Sequence, residues 1–283
     1  MKNAIHLLNN SKTEDMYPGQ MNSFIVETEN GEIIVIDGGY RGEWEHMLNK
    51  LIEISGQSNP HVAGWFLSHA HHDHIECFME LVKNHSESIE IDHVYYNFPS
   101  AQFIERHDVL FVETIREFYG ILPRFADIAV IVSEGDRYEI GSAVFEILYS
   151  PNPAWTNNAV NNSSIVIRLT LGEKKILFLG DLGEDAGQQL VDKYGNELKS
   201  DYCQMSHHGQ AGVSKSVYQA IAPETCMWCT PLWLWNNDAG HGYNTAPYKT
   251  IEVREWMEEI GAKEHYVMKD GDQTIELRGE LSF

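Results

Sequence analysis

The chain has 283 residues, and its acidic residues outnumber the basic ones 42 to 20, which gives a formal net charge of −22. Such a negative field repels polyanions, so long nucleic acid is not expected as a partner. A small anionic substrate remains possible beside bound cations, which can dominate the potential in their own cleft. No stretch is apolar over the roughly 18 residues that a membrane span needs, and residues 1–17 lack the apolar segment of a signal peptide. We therefore expect a cytoplasmic protein without membrane insertion.

Length and cysteine usage favour one domain that spans residues 1–283 and has reduced thiols. Cys77, Cys203, Cys226 and Cys229 are too few and too unevenly spaced for a disulfide framework. The last two have CxxC spacing, but they lie in a predicted strand without a second pair, which indicates core residues and no zinc knuckle.

The first third of the chain predicts strands followed by a helix and another strand. Residues 21–27 and 32–36 form a predicted hairpin around Asn30-Gly31, and its second strand ends at Asp37-Gly38-Gly39. Apolar spacing predicts a helix over 42–54 and a short strand over 64–67. A histidine-rich segment therefore begins where a strand ends, which is where α/β enzymes place chemistry.

The rest of the chain alternates between strands and helices. The predicted helices are 77–84, 103–119, 184–194, 214–222 and 248–260. The predicted strands are 91–97, 128–132, 137–139, 143–149, 165–170, 175–179, 202–205 and 225–229, with a hairpin turn at 171–174 and a last hairpin around Asp270-Gly271-Asp272. Two similar halves of this kind predict an α/β fold, a four-layer αββα sandwich of two mixed β-sheets. Residues 151–162 form the predicted long functional loop.

The segment His69-Ala70-His71-His72-Asp73-His74 offers four imidazoles and a carboxylate within six residues. Imidazole and carboxylate suit borderline metals such as zinc, and a catalytic site needs about three protein ligands with one open position. The alternative is a surface histidine tract. That alternative does not explain why an apolar strand leads into the segment and a helix follows it.

Two later segments add the same ligand types at strand ends. Residues 175–179 form a buried-type strand that ends in Gly180-Asp181, and a strand over 202–205 leads to His207-His208-Gly209. By itself, a strand-terminal aspartate is more often a helix N-cap, and a single histidine at a strand end is more often structural. A tandem pair of histidines is harder to explain as structural.

The order of these motifs along nearly the whole chain resembles the metallo-β-lactamase superfamily. Asp37-Gly38-Gly39 fits an early Asp-Gly motif of that family, whose carboxylate supports the metal site from behind. The run 161–169, followed by Gly-Asp and then His-His-Gly, is similar to the ComEC-type branch, and the metal site also looks like that of phosphorylcholine esterases.

The resemblance implies two divalent metal ions, with zinc expected and manganese or iron as alternatives. His69 and His71 would hold the first metal, and Asp73, His74 and His208 the second. Asp181 would bridge the two, and His72 would point away. Only the resemblance favours His208 over His207 as the ligand; His207 would then face the substrate as a general acid or anion contact.

One feature departs from many relatives, which supply a third histidine to the first metal. The histidines of that interval are His85, His93 and His107, and none lies in the expected strand-end context. The ComEC-like and phosphorylcholine-esterase-like members tolerate this absence, so the gap favours that branch and leaves the first metal site more open.

The expected reaction is hydrolysis of a phosphomonoester or phosphodiester by a metal-bridging hydroxide, with Asp73, His207 and His241 among the catalytic residues. A lactone or thioester hydrolase and a non-catalytic metal-binding protein stay open as alternatives. His241 lies in a later loop, where it is as readily an exposed residue as a substrate contact. Trp155, Trp233 and Trp235 could stack on a base or hold a quaternary ammonium group, although packing is their more common role.

Overall fold

The computed structural model describes residues 2–11 and 19–277. The strands are β1 (Ala4–Leu7), β2 (Ser23–Glu27), β3 (Ile33–Asp37), β4 (His61–Val62), β5 (Gly64–Phe66), β6 (Glu90–Ile91), β7 (Val94–Tyr96), β8 (Ala129–Ile131), β9 (Arg137–Ile140), β10 (Ala143–Tyr149), β11 (Val166–Leu171), β12 (Lys174–Phe178), β13 (Tyr202–Gln204), β14 (Thr225–Trp228), β15 (Glu264–Val267) and β16 (Gln273–Glu276). The α-helices are α1 (Trp44–Ser55), α2 (His72–Asn84), α3 (Ala101–His107), α4 (Val112–Ile121), α5 (Glu184–Tyr194), α6 (Lys215–Ile221), α7 (Leu232–Trp235) and α8 (Thr250–Ile260). Within the described ranges, each helix is too short or too polar to cross a bilayer.

Two seven-stranded sheets form the centre of the fold. The first has the order β16-β1-β2-β3-β5-β7-β8 and the second β15-β14-β13-β12-β11-β10-β9, and β4 pairs with β6 in a small separate sheet. In each large sheet, hairpin-connected strands pair antiparallel on one side. The strands connected through helices pair parallel on the other side. Both sheets are therefore mixed, as predicted.

Three apolar clusters separate the layers of the structure. Between the sheets, the ring of Phe24 lies 5.2 Å from that of Phe178, and the ring of Phe66 lies 4.6 Å from that of Phe145. Helices α1, α2 and α4 cover the outer face of the first sheet, and α5, α6 and α8 cover the outer face of the second. Burial of these faces provides the main stabilisation of such a fold. The predicted four-layer αββα sandwich is confirmed.

Three predicted elements differ from the structure. The helix predicted over 103–119 is divided into α3 and α4, because Asp108 leaves the helical region (φ −156°, ψ 56°). The last predicted hairpin is wrong, since β15 pairs with β14 in the second sheet while β16 pairs with β1 in the first. Helix α2 begins at His72, so Asp73 and His74 lie in its first turn and not in a preceding turn.

The carboxyl ends of the parallel strands lie at one edge of the sandwich. Strands β3 and β5 of the first sheet lead to Asp37 and Ser68, whereas β12 and β13 of the second lead to Asp181 and His207. A backbone hydrogen bond joins the two sheets at this edge, from Ile165 N–H to Ser68 O. Within the second sheet, His207 N–H donates to Gly180 O. Polar side chains from distant parts of the sequence therefore meet there.

A histidine ion pair fastens the connection between β15 and β16 to α1. His46 Nε2 lies 2.9 Å from Asp272 Oδ2, and His46 Nδ1 lies 3.7 Å from Glu43 Oε2. Asp272 and then Glu43 raise the pKa of His46 to about 9.

We predict that His46→Gln lowers the free energy of unfolding by roughly 1–2 kcal/mol at pH 6, and by much less near pH 10. A group whose pKa is raised on folding stabilises the fold fully below its ordinary pKa of 6.5, and this contribution is lost as the pH rises through about 9. Urea unfolding at both pH values measures the effect, with His93→Gln as the control. An equal loss of stability at pH 6 and pH 10 would contradict the role of the ion pair.

Candidate metal centre

Six side chains converge in two groups at the edge where the parallel strands end. His69, His71 and Asp181 form the first group, and Asp73, His74 and His208 form the second. Within each group, one ligand-type atom from each residue lies within 4.8 Å of the others. All six residues are buried. The structure thus brings together the three distant segments on which the sequence analysis depends.

Asp181 lies between the two groups and faces both. Its Oδ2 atom is 3.8 Å from His69 Nε2 in the first group and 3.3 Å from His208 Nε2 in the second. Its Oδ1 atom is 3.3 Å from His74 Nε2. A carboxylate with both oxygens facing imidazoles of two groups has the position that a ligand shared by two cations requires. The prediction that Asp181 is shared by two metals has this geometric basis.

Behind the second group, the buried Asp37 carboxylate organises several donors. Its Oδ2 atom accepts hydrogen bonds from Asn22 Nδ2 and Ser68 Oγ, each at 2.7 Å, and its Oδ1 atom accepts one from Ser68 N at 2.7 Å. His74 Nδ1 lies 2.8 Å from Asp37 Oδ2. The backbone of Asp37 is left-handed (φ 59°), a conformation that aspartate and asparagine tolerate better than most residues.

These partners fix the tautomers of three imidazoles. Because the Ser68 hydroxyl hydrogen is donated to Asp37, the contact between Ser68 Oγ and His69 Nδ1 at 3.0 Å requires a proton on the ring nitrogen. His74 Nδ1 donates to the Asp37 carboxylate, and His208 Nδ1 donates to Cys229 O at 3.2 Å. In their neutral forms, the three rings therefore turn an unprotonated Nε2 towards the centre, which is the atom a metal binds.

The central atoms lack hydrogen-bond partners among the described residues. These atoms are Nε2 of His69, His71, His74 and His208, together with Oδ1 of Asp181, and they are all buried. Buried polar atoms are nearly always satisfied, so a group of five calls for an explanation. A cation coordinated by these atoms would satisfy them together. The donor set of imidazoles and carboxylates fits divalent metals of the zinc, manganese and iron type.

The protonation equilibria of the two groups differ. Burial lowers the pKa of His69 well below its ordinary value and lowers that of His71 to about 3, so both rings are neutral near pH 7, as ligands must be. In the second group burial also opposes charge, but the Asp181 and Asp73 carboxylates together outweigh it and raise the pKa of His208 to about 9. The carboxylates of Asp181 and Asp37 likewise raise the pKa of His74. A cation in the second group must therefore displace protons.

A strained turn presents the histidine pair. His207 (φ 51°), His208 (φ 55°) and Gly209 (φ 76°) adopt three consecutive left-handed conformations, which are unfavourable for histidine. Thr230 Oγ1 donates to His208 O at 2.6 Å and helps to hold this turn. At position 209 a Cβ atom would lie 2.4 Å from the Trp228 ring, so only glycine fits.

The two adjacent histidines have different surroundings. The His208 side chain is buried, and its Nε2 lies 3.1 Å from Asp73 Oδ2. The His207 side chain is 24% exposed, and its Nε2 lies 4.0 Å from Asp181 Oδ2. His208 thus belongs to the second group, whereas His207 borders it on the solvent side.

Other predicted residues lie outside the two groups. The His241 side chain is exposed, and the contact described for this residue is a backbone N–H donation to Asp238 Oδ1. His72 turns its ring to Tyr40 and Phe111. Three further histidines contact aromatic rings elsewhere, and none joins the two groups: His85 stacks on Trp44, His93 on Tyr95, and His107 contacts Phe103.

Several residues beside the groups were not predicted. The Phe111 ring lies 3.9 Å from the His71 ring and excludes water from that side. Burial raises the pKa of Tyr40, and the Asp73, Glu76 and Asp181 carboxylates raise it further. Ser68 and Asn22 support Asp37. The position of Ser68 next to His69 in the sequence could have indicated its role, whereas nothing in the sequence distinguishes Asn22 or Phe111.

Comparison with known proteins gives matches in sequence. A family model described as the metallo-beta-lactamase superfamily matches residues 16–224. ComE operon protein 3 of Bacillus subtilis (strain 168) is 27% identical over 164 residues, which are 57% of this chain and 19% of that protein. Competence protein ComA of Neisseria gonorrhoeae is 37% identical over 108 residues, which are 38% of this chain and 15% of that protein. The matches thus span less than a fifth of each relative, and they confirm the resemblance to the ComEC-type branch.

Solved structures share the fold at low identity. CmlA, a diiron β-hydroxylase from Streptomyces venezuelae, superimposes with a TM-score of 0.59 at 13% identity, over 98% of this chain and 54% of that one. Zinc-bound PqqB from Methylobacterium extorquens superimposes with a TM-score of 0.54 at 10% identity, over 97% of this chain and 100% of that one. At such identities the likeness concerns the fold alone. With the family model covering most of its length, the chain belongs to the metallo-β-lactamase superfamily.

Proposed function

We propose that this protein is a dinuclear metal-dependent hydrolase of small phosphoesters. The observation that carries the proposal is the set of buried imidazole Nε2 atoms without hydrogen-bond partners, gathered around a carboxylate that faces two ligand groups. An isolated core histidine would direct both ring nitrogens to protein partners. Here the Nδ1 atoms of His69, His74 and His208 have such partners and the Nε2 atoms do not.

In this proposal His69 and His71 hold one cation, Asp73, His74 and His208 hold the other, and Asp181 is shared. Zinc is the expected metal, with manganese or iron as alternatives. When bound, a pair of divalent cations lowers the pKa of water towards neutrality and neutralises charge that develops during displacement at phosphorus. Asp37 keeps the His74 ring oriented through its Nδ1–H, and this support also increases the basicity of the ligand.

His207 is proposed to contact the substrate. Its Nδ1 donates to Ala211 O at 3.2 Å, which leaves Nε2 on the side of Asp181. Being partly exposed, His207 can reach a bound anion and then donate a hydrogen bond or a proton to the leaving group. Asp73 is proposed as a ligand of the same cation as His208, whose Nε2 lies 3.1 Å from Asp73 Oδ2. The catalytic role of His241 stays a prediction.

The charge of the whole chain favours small substrates over long nucleic acid. With a net charge of −22, the protein repels a long polyanion, whereas a small anion would be attracted by the local cation pair. The two competence relatives match over less than a fifth of their length, so we do not assign the activity of either whole relative to this chain.

Metal content and turnover test the proposal together. We expect zinc-loaded or manganese-loaded protein to bind two metal ions per chain and to hydrolyse bis-p-nitrophenyl phosphate. Asp181→Asn and His208→Ala should lose metal and reduce kcat/KM more than about 100-fold, because each removes a ligand. His207→Ala should keep its metal and lose mainly kcat. Asp192→Asn on the exposed side of α5 is the matched control and should behave as the unchanged protein.

Lactone and thioester substrates, tested on the same metal-loaded protein, separate the alternatives. If the protein binds two metals and hydrolyses lactones or thioesters but no phosphoester, the proposed reaction is wrong and the proposed metal centre stands. Metal binding without turnover of any of these substrates would support a non-catalytic metal-binding protein. Wild-type metal content in Asp181→Asn and His208→Ala would refute the ligand assignment itself.

Asp37→Asn tests the support behind the ligands. The amide keeps the size and the left-handed backbone of the aspartate, but it removes the negative charge that faces His74 and Ser68. We predict a metal affinity lowered by about 10–100-fold, measured by competition with a chelator, in a protein that still folds. Unchanged affinity would show that Asp37 has only a packing role.

A further inference from the structure

We propose that a cavity beside the metal centre binds a planar, uncharged aromatic group of the substrate, and this inference rests on the proposed function. The cavity has a volume of 260 Å³ and lies between the start of α3 and the loop 151–163. Small-molecule sites commonly measure about 300–1,000 Å³, so this cavity has room for one ring system and not for a whole large ligand.

The lining of the cavity is neutral, which is unusual in so acidic a chain. It consists of prolines, amides, hydroxyls, one alanine and two aromatic rings, Phe103 and Trp155, and contains no acidic or basic side chain. The larger cleft of 520 Å³ nearby carries both signs of charge, including Glu184, Asp185 and Lys249. A charged substrate group would lose hydration in the neutral cavity without gaining a charged partner. An uncharged group fits it better.

Local sequence signals place the two aromatic rings. Ser100 caps α3 by accepting a hydrogen bond from Phe103 N at 3.2 Å, so Phe103 lies in the first turn of that helix. On the opposite wall, Trp155 N–H donates to Asn152 O, and the indole Nε1 donates to Gln189 Oε1 at 3.3 Å. With its polar edge engaged, the indole offers carbon surface to the cavity, as stacking requires.

The walls are held together before any ligand arrives. Val160 N–H donates to Asp108 Oδ2 at 3.2 Å, which ties the loop to the break between α3 and α4. The Tyr149 hydroxyl donates to Asn162 O at 2.9 Å, and Ala159 and Val160 are buried in the apolar cluster of the first sheet. Because the cavity is already formed, a ligand would lose little free energy in ordering it.

Three consecutive residues connect the lining of the cavity to the backbone of Asp181. Asn162 and Ser163 line the cavity, and the next residue, Ser164, accepts a hydrogen bond from Asp181 N at 3.0 Å. Asn162 Oδ1 also accepts one from Gly183 N at 3.0 Å. A substrate with a phosphoryl group at the centre could therefore place an attached ring in the cavity.

The polar atoms of the lining favour a ring with heteroatoms. Ser100 Oγ accepts from Phe103 N, so its hydroxyl hydrogen remains able to donate to a ligand. Asn97 uses Nδ2 to donate to Val132 O at 2.8 Å, and its amide oxygen remains an acceptor. One donor and one acceptor between two aromatic side chains suit a heteroaromatic ring better than a plain hydrocarbon ring.

The structure distinguishes Trp155 from Trp233 and Trp235, which lie in helix α7 and not in a loop. Trp235 packs at 5.2 Å from the Trp228 ring, with the Arg254 guanidinium 4.0 Å from its own ring. Trp233 packs against Tyr248 at 5.8 Å. Neither lines the neutral cavity.

Adenosine is the probe, because it carries a neutral heteroaromatic ring and no phosphate. With the metal-free 283-residue chain, we expect intermolecular nuclear Overhauser effects between the adenine protons and the ring protons of Phe103 and Trp155. Titration calorimetry should show that Trp155→Ala and Phe103→Ala each weaken adenosine binding about tenfold, since stacking on an aromatic side chain contributes that much or more. Trp155→Phe should retain most of the affinity, and Trp233→Ala all of it.

Absence of adenosine binding to the wild-type protein would overturn the proposal, and so would Overhauser effects to other rings only. Equal binding of ribose would also overturn it, because the sugar and not the ring would then be recognised. The Overhauser effects measured on the wild-type protein test the proposal even if a variant fails to fold. Because the measurement needs neither metal nor turnover, adenosine binding at Trp155 in a protein without phosphoesterase activity would refute the proposed function alone.

Discussion

Three carboxylates and four imidazoles buried in one cluster are the electrostatic constraint on which the rest of this structure depends. Asp37, Asp73 and Asp181 are at most 5% exposed, and the four histidines at most 7%. Like charges at such proximity and burial are unfavourable unless cations are shared among them. Protons on His74 and His208 provide a partial balance in the metal-free protein. Metal ions would provide a more complete one and would satisfy the free Nε2 atoms.

The architecture explains why the cluster can be assembled at all. The parallel halves of the two sheets end at the same edge, so β3 and β5 deliver one set of side chains while β12 and β13 deliver the other. Asp181 then faces ligands from both sheets. Around this centre the loop 151–163 serves two purposes, since Ser164 at its end supports Asp181 while Trp155 and Asn162 line a neutral cavity.

Much of this arrangement could be predicted from the sequence because the signals were local. The hairpin at 171–174, the strands before each motif and the helix at Glu184–Tyr194 follow from periodicity and turn residues. Histidines and aspartates after three predicted strands indicated a metal centre, because the carboxyl ends of parallel strands lie at one edge of an α/β fold. The passage of the chain from the second sheet at β15 to the first sheet at β16 could not be predicted, because turn residues do not indicate which sheet the flanking strands join.

Other features depend on tertiary contacts that have no sequence signature. Asp108 interrupts a continuous helical pattern while its side chain binds the distant Val160 N–H. Phe111, which lies in the segment between α3 and α4, contacts the ring of His71. Of Trp155, Trp233 and Trp235, Trp155 lines the cavity, whereas the other two lie in α7 and pack against Tyr248 and Trp228.

Anomalous X-ray scattering from metal-loaded crystals tests the central claim most directly. We expect two peaks, one bounded by His69, His71 and Asp181 and the other by Asp73, His74 and His208. Absence of peaks there, with the four Nε2 atoms bound to water or to protein acceptors, would contradict the dinuclear centre.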